Sequence, residues 1–398
     1  MSTQAAQSIL FTHTTPQQGF RLLELPPELA ELLSSKEAPT LELKSPSTSH
    51  LPNSSADAEN HEYVNLCTPD RTYRIRQVQS SNPIHILQPS DGGAQRGDIT
   101  MVGADDEMNL VETVTTIAKC GSTLELHTPA EGFSAVSFLE RMLAVYDGGE
   151  GGEGGEAVGV DLEPAEKEGV TRRVFEDVPV SRAQCEAGWI EICAFVVGRA
   201  DKGESAAGCC RRPSARAKLE VWKRILEGAV LQGIHLDQQF LVSDLWKSVL
   251  DDGDEEPFPR VLFEAIVRRV CEAGEGQGQG LVDGGMKWAS IDKARCTRWV
   301  GETYLEAMAP VLGSAIGRSE FLNAWKDHLP DSWRDEVALS KLTESSYRYP
   351  DQTTIYFVNN NDRHKIKKNI STDANTATAA KKSRNWHELF RNQKRQKN

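Results

Sequence analysis

No apolar run in this 398-residue chain approaches the ~20 residues that a bilayer-spanning helix needs. Met1–Gln7 carries no basic residue ahead of the short Ile9-Leu10-Phe11 stretch, so no secretory leader is expected and the chain reads as soluble and intracellular. Cysteine is sparse, eight residues without close pairing beyond the adjacent Cys209-Cys210, and neighbours do not readily bridge each other. No Cys-x-x-Cys occurs, and no histidine stands at finger spacing from a cysteine pair, which excludes the clustered donors of a structural zinc site. The thiols read as core filler in a reducing compartment. Catalytic signatures are missing as well: there is no Gly-x-Ser-x-Gly elbow and no phosphate loop ending in Gly-Lys-Ser/Thr. Asp251-Asp252 and Glu255-Glu256 sit in a polar, proline-containing loop and read as solvated acids, not as a paired acid/base device. The nine histidines are scattered, with His13, His50 and His61 in expected loops. The expectation is a non-enzyme without cofactor or metal.

What is present is charge, unevenly placed. The formal net charge is −13, which argues against a surface that coats nucleic acid throughout. From Arg363 to Asn398, however, eleven Lys/Arg face two acids. This basic tail (361–398) contains Asn385-Trp386-His387-Glu388-Leu389-Phe390, where Trp386, Leu389 and Phe390 would share one helical turn and either dock in a partner groove or pack back on the chain. Residues 147–157 are a Gly/Glu run. Its formal Gly-x-Gly-x-x-Gly match follows no strand, and its glutamates would repel phosphate, so 147–176 reads as a linker.

A length of 398 residues predicts two or three domains. Residues 1–19 read as disordered. Pro26-Pro27 opens a helix with Leu29, Leu32 and Leu33 on one side, and Thr40–Lys44 alternates as a strand. The run Leu66-Cys67-Thr68-Pro69-Asp70-Arg71-Thr72-Tyr73-Arg74-Ile75-Arg76-Gln77-Val78-Gln79 predicts two strands about a Thr-Pro-Asp turn. Ser80–Pro83 would then lead to a third strand, Ile84–Leu87. Asn109–Cys120 and Thr123–His127 read as a hairpin turning at Gly121-Ser122. Five or six short strands and one helix over 20–146 predict an antiparallel, barrel-like domain or part of one. Its open edges call for a partner, with Leu66, Tyr73, Ile75 and Val78 as candidate contacts.

Beyond residue 177 the period becomes helical. Ser181 caps a helix through Cys185, Trp189, Ile192 and Cys193. Others carry Leu219, Trp222, Ile225, Leu226 and Val230, then Leu241, Leu245, Trp246 and Val249, then Val261, Leu262, Ile266, Val267 and Val270. A helix over Gly301–Leu312, one over Arg318–His328, a third from Ser332 with Val337, Leu339 and Leu342, and a Tyr347–Val358 hairpin give the order of a winged helix, about 301–359. The preceding ~120 residues have room for two more units, Met286–Ile291 supplying one middle strand, so 177–360 reads as tandem winged helices. The overall class is α+β. Trp246, Trp288, Trp299, Trp325 and Trp333, at helical spacing with aliphatics, read as core and not as stacking platforms. On the last unit Arg318, Lys326, Arg334, Lys341 and Arg348 form a candidate DNA-binding set. The interleaved Glu320, Asp327, Asp331, Asp335 and Glu336 leave open a solvated mixed-charge face.

Phe20–Leu33 and Asn65–Asn82, with Val178–Phe195, Lys218–Leu250 and Trp299–Val358 following in order, resemble the sister chromatid cohesion proteins of the Dcc type. The Gly/Glu run and the loops at 45–61 and 199–213 stand as insertions on that pattern. The resemblance implies a nuclear, non-catalytic subunit of the alternative (Ctf-type) replication factor C. Its partners would be a Ctf-type large subunit and a small Ctf-type subunit, completing a shared barrel with the amino-terminal strands. It further implies that the winged helices meet DNA polymerase epsilon and DNA, that the sliding clamp is engaged indirectly, and that cohesion depends on the assembly. The competing expectation is a winged-helix transcription or chromatin factor.

Overall fold

In the computed structural model, residues 10–13, 16–46, 63–90, 113–130, 132–148, 158–160, 162–199, 207–250, 256–271, 286–359 and 363 are described. Contacts divide the chain into two units: Met1–Phe133 with Pro179–Gln184, and Ser134–Val178 with Cys185–Asn398.

Unit 1 is built on one sheet. Its elements are β1 (Leu10–His13), β2 (Leu22–Glu24), α1 (Pro27–Ser34), β3 (Glu42–Lys44), β4 (Asn65–Cys67), β5 (Thr72–Ser90) and β6 (Thr113–His127). The strand order is β1-β6-β5-β4-β3, with β2 also on β6. Period-two alternation assigns the faces. Leu66, Tyr73, Ile75 and Leu126 turn to one side, where Leu29 of α1 joins Leu66 and Tyr73 in a small core. Pro27 opens α1 at the position where a missing N–H is harmless. The Thr68–Arg71 turn is closed by Thr68 N–H to Arg71 O at 2.8 Å and Arg71 N–H to Thr68 Oγ1 at 2.9 Å. On the opposite face the 179–184 segment is held by side chains. Asn65 Nδ2 donates to Pro179 O at 2.6 Å, and Ser181 N–H donates to Thr72 Oγ1 at 2.7 Å.

The sheet departs from expectation in four respects. It does not close into a barrel among the described residues. It is not wholly antiparallel, since β1 and β2 both run parallel to β6. Residues 10–13, expected within a disordered start, form β1. The expected meander is instead a ribbon of two long strands, fifteen and nineteen residues. Gly121 lies within β6 with nothing near its Cβ position and no positive φ, whereas a tight hairpin turn would require one. Ser80–Pro83 does not turn either. It is a register irregularity between Gln79 and Ile84, the place where a proline, lacking an N–H, is tolerated in a ladder.

Unit 2 begins with α2 (Val136–Met142), β7 (Ala144–Tyr146), β8 (Val158–Val160), α3 (Pro164–Glu176), α4 (Arg182–Glu191, whose first residues count with unit 1), β9 (Phe195–Arg199) and β10 (Ala207–Pro213). The sheet order is β7-β10-β9-β8. Residues 164–176, read as part of a linker, are helical: Pro164 starts α3, and Glu166 Oε2 accepts from Glu163 N–H at 3.3 Å. The Gly/Glu run at 149–157 lies outside the described residues. Next come α5 (Ala215–Gln232), β11 (Phe240–Leu241), α6 (Val242–Lys247), α7 (Arg260–Val270) and β12 (Trp288–Ala289). Ser214 Oγ caps α5 by accepting from Ala217 N–H at 3.1 Å, and Gly233 at φ 65° ends it. Strands β11 and β12 pair antiparallel, and Cys271 bridges Ile291.

The final segment holds α8 (Lys293–Met308), β13 (Ile316–Gly317), α9 (Arg318–Asp327), β14 (Tyr347–Arg348) and β15 (Thr354–Phe357), with the sheet order β13-β15-β14. Asp292 caps α8 eight residues before the expected start. The third helix expected from Ser332 is two short 3-10 turns, Asp331–Glu336 and Leu339–Lys341. Trp333, Val337, Leu339 and Leu342 break helical spacing at the 337–339 step, so no single helix brings them all inward. Trp222, Trp325, Trp333, Phe263 and Phe321 are fully buried in the core of this unit. Trp222 Nε1 donates to His328 O and Trp325 Nε1 to Thr297 O, both at 2.8 Å, which satisfies the indoles that the apolar core would otherwise strand.

Candidate interaction surfaces

The five basic residues of the last segment fall on four elements, Arg318 and Lys326 sharing α9, and most already have partners. Arg318, at the start of α9, lies over the Tyr349 ring at 4.8 Å and donates to Gln352 O at 3.1 Å. Arg334 pairs with Asp331 at 2.9 Å and donates from Nε to Lys326 O at 3.2 Å. Lys341 pairs with Glu336 at 3.3 Å, and Lys293 reaches the same carboxylate at 3.7 Å. These neighbouring cations hold the Glu336 carboxyl below its ordinary value, the Lys341 hydrogen bond foremost. Arg348 is exposed on β14, and Lys326 is exposed near the end of α9. Arg318 thus lies beside the Tyr347–Tyr349 pair (ring centroids 5.3 Å apart), with Arg348 between the two tyrosines in sequence, while Lys326 and Arg334 share the opposite end of α9. The hairpin between β14 and β15 is fixed by Asp351. Its Oδ1 accepts from Thr353 N–H at 2.7 Å and Thr354 N–H at 2.8 Å, and its Oδ2 from the Thr354 hydroxyl. Those donors, the Thr354 hydroxyl first, hold the carboxyl far below the usual carboxylate range.

In unit 1 the sequence-selected apolar residues are not equivalent. Leu66 and Tyr73 are buried in the unit's own core and present little surface. Ile75 packs against that core, and Val78 is half-buried on the other face, opposite Thr123. Farther along β5, Ile84 is 49% and Leu87 46% exposed. Strand β4 covers only Thr72–Arg74 of β5, with one more bond from Ile75 N–H to Val64 O. Beyond Ile75, no strand among the described residues pairs with the outer side of β5. The sequence signal for this edge was the Ile84–Leu87 run between Pro83 and Pro89, too short to bury itself. Trp386, Leu389 and Phe390 lie outside the described residues.

Of the five tryptophans read as core, Trp246, Trp299, Trp325 and Trp333 are buried, whereas Trp288 on β12 is 51% exposed beside Leu241. Burial leaves four of the thiols, Cys67, Cys193, Cys210 and Cys296, little nucleophilic character. Burial pushes Cys210 up to about 12 and Cys296 well above its ordinary value. No group of three or more His, Cys, Asp or Glu suited to a metal occurs among the described residues, and no described helix is long and apolar enough to cross a membrane.

Fold and surfaces together define an α+β protein with a strand edge that is open among the described residues and a series of helix-and-hairpin segments. The family model described as "Sister chromatid cohesion protein Dcc1" matches residues 20–363, and the chain belongs to that family. It is accordingly a protein of sister chromatid cohesion. A search of the curated proteins found no match to this chain.

Proposed function

We propose that this protein is a non-catalytic nuclear subunit of an alternative clamp loader at replication forks. In this reading unit 1 joins a Ctf-type large subunit and a small Ctf-type subunit, while unit 2 bridges to DNA polymerase epsilon and DNA. The observation that carries it is the outer edge of β5, unpaired beyond Ile75 among the described residues, with Ile84 and Leu87 exposed beside it. An edge of that length invites another chain's strand and is normally blunted or covered. A shared sheet closed by companions accounts for an open one here.

Support for tandem winged helices comes from repetition. Segments α5-β11-α6-α7-Cys271-β12 and α8-β13-α9-(3-10 turns)-β14-β15 are alike: in each the first strand pairs with the final one. In each, too, the residues after the last helical element pair nearby, as an isolated Cys271–Ile291 bridge just past β12 in the first and as β14 on β15 in the second. In α2-β7-β8-α3-α4-β9-β10 the last two strands again form a hairpin. Such units are adaptors or DNA readers, which also sustains the transcription- or chromatin-factor reading. The two readings part on the sheet edge, for which a free-standing DNA binder has no use.

The test is co-expression of the full chain with the two Ctf-type subunits, wild type against Ile84→Lys with Leu87→Lys. These side chains are exposed, so the double variant is expected to fold with its melting temperature nearly unchanged. It is also expected to lose co-purification of both partners. A double variant that retains them would overturn the edge assignment, and a wild-type chain that binds neither would overturn the clamp-loader reading.

A further inference from the structure

On the face of the unit 1 sheet opposite α1, Asn65, Arg74 and His127 are register neighbours across β4, β5 and β6. The Arg74 guanidinium faces two rings, 4.2 Å from the Tyr63 centroid and 5.7 Å from that of Phe133. Arg74 is half-buried, and its Nε is buried without a hydrogen-bond partner, as is His127 Nδ1. Among the described residues no carboxylate pairs with it. The adjacent Glu125 is engaged by Arg76 at 2.7 and 3.0 Å. In a chain with 58 acids against 45 Lys/Arg, a partly desolvated cation without a counter-charge is an anomaly. Buried donors are met in all but a few places, and those places ask for a reason. Contact with the two rings restricts the guanidinium, so less freedom is lost when its fork is engaged.

We infer that Arg74, walled by Tyr63 and Phe133 and flanked by His127, receives a carboxylate side chain from an acidic peptide segment of a binding partner. A single planar fork matches the two oxygens of a carboxylate. The ring walls and the negative charge of nearby Glu125 disfavour a dianionic phosphate, whose extra charge would find no second free cation in the row. Asn65 Oδ1 is the third atom of the row without a partner, and it is an acceptor. Asn65 is only 1% exposed and its Nδ2 is tied to Pro179 O, so the incoming carboxylate meets the half-buried Arg74 and not Asn65. Only unit 1 is involved, so this site stands or falls independently of the clamp-loader reading.

The experiment uses the full chain with arginine Nε labelled with nitrogen-15, the Arg74 resonance being assigned by its loss in Arg74→Lys. The probes are a capped Gly-Glu-Gly-Glu-Gly peptide, its Gln counterpart, inorganic phosphate and a short oligothymidylate. The glutamate peptide is expected to move the Arg74 Nε–H signal and to bind at least about tenfold more tightly than the Gln peptide, as a charge-assisted bond requires. Tyr63→Leu, which removes one wall and leaves the charge, is expected to weaken that binding, and it serves should Arg74→Lys fail to fold. No response to the glutamate peptide, or an equal response to phosphate or oligothymidylate, overturns the inference. So does an Nε–H already hydrogen-bonded in the free protein, whether to Asn65, to a buried water or to a carboxylate of the chain itself.

Discussion

Gly301 in the middle of α8 is the residue on which the packing of the last segment turns. A Cβ there would come within 2.6 Å of Trp325 Cζ2, and the indole cannot retreat because its N–H is tied to Thr297 O. Gly301→Ala is therefore expected to destabilise unit 2 by about 1–3 kcal/mol through overpacking, read as a fall in the melting temperature of the full chain. Asp351 acts differently, by gathering backbone and hydroxyl donors at one turn. Asp351→Ala is expected to speed amide exchange across Tyr347–Phe357, with Asp351→Asn closer to wild type because its carbonyl oxygen still accepts. The pH dependence has a definite sign. The folded carboxyl titrates below its ordinary value of 3.8, so its contribution is present above that value and is lost as pH falls through the folded one. The protection factors of the hairpin amides, which remove the intrinsic slowing of exchange in acid, should fall below about pH 3.8 for wild type and change little for the Ala variant.

Among the elements, those resting on one strong local signal were legible in the sequence. Pro27 and Leu29 announced α1, Ser181 the start of α4, and the Tyr347–Val358 alternation the final hairpin. The two long strands were not, because Gly121 and Ser80–Pro83 carry turn chemistry that the β5–β6 ladder overrides. Some thirteen paired positions outweigh one glycine and one proline. The 3-10 turns after Pro330 were missed for the opposite reason: the apolar count suggested a helix, but the spacing did not repeat. His328, after α9, illustrates a further pH effect of an element end. Burial lowers its proton affinity, and Nδ1–H donates to Ala324 O at 2.6 Å. The unfolded chain thus binds a proton that the folded one resists. Stability is full above about pH 6.5 and declines as pH falls through the folded value. Chemical denaturation at pH 7.5 and 5.5 is expected to show that loss, and His328→Gln to reduce it.

For the molecule as a whole, the order of the sequence blocks was enough to place the chain among the cohesion proteins, but it located no surface. Leu66 and Tyr73 were chosen because apolar residues in an open-edged sheet look like partner contacts, yet alternation sends them into the core beneath α1. No periodicity distinguishes an inner face covered by a local helix from one awaiting another chain. The candidate DNA-binding set shows the same limit, since the acids that pair with Arg334 and Lys341 lie a few residues away and turn a basic stripe into a mixed one. If unit 2 meets duplex DNA through Arg318 and Arg348, the full chain should bind with a log–log salt slope of roughly −0.9 per phosphate engaged. The double change Arg318→Ala with Arg348→Ala should then flatten that slope by about two. Fluorescence anisotropy across a salt series measures it, and an unchanged slope would remove these two residues from the interface.

The nineteen residues of β5, at about 3.3 Å each, make an arm some 60 Å long, several times an ordinary strand. Whatever grasps its far end works with leverage. A pull there is borne along the rungs of main-chain bonds to β6, and the interruption at Ser80–Pro83 is the weak joint at which such a load would first bend the arm.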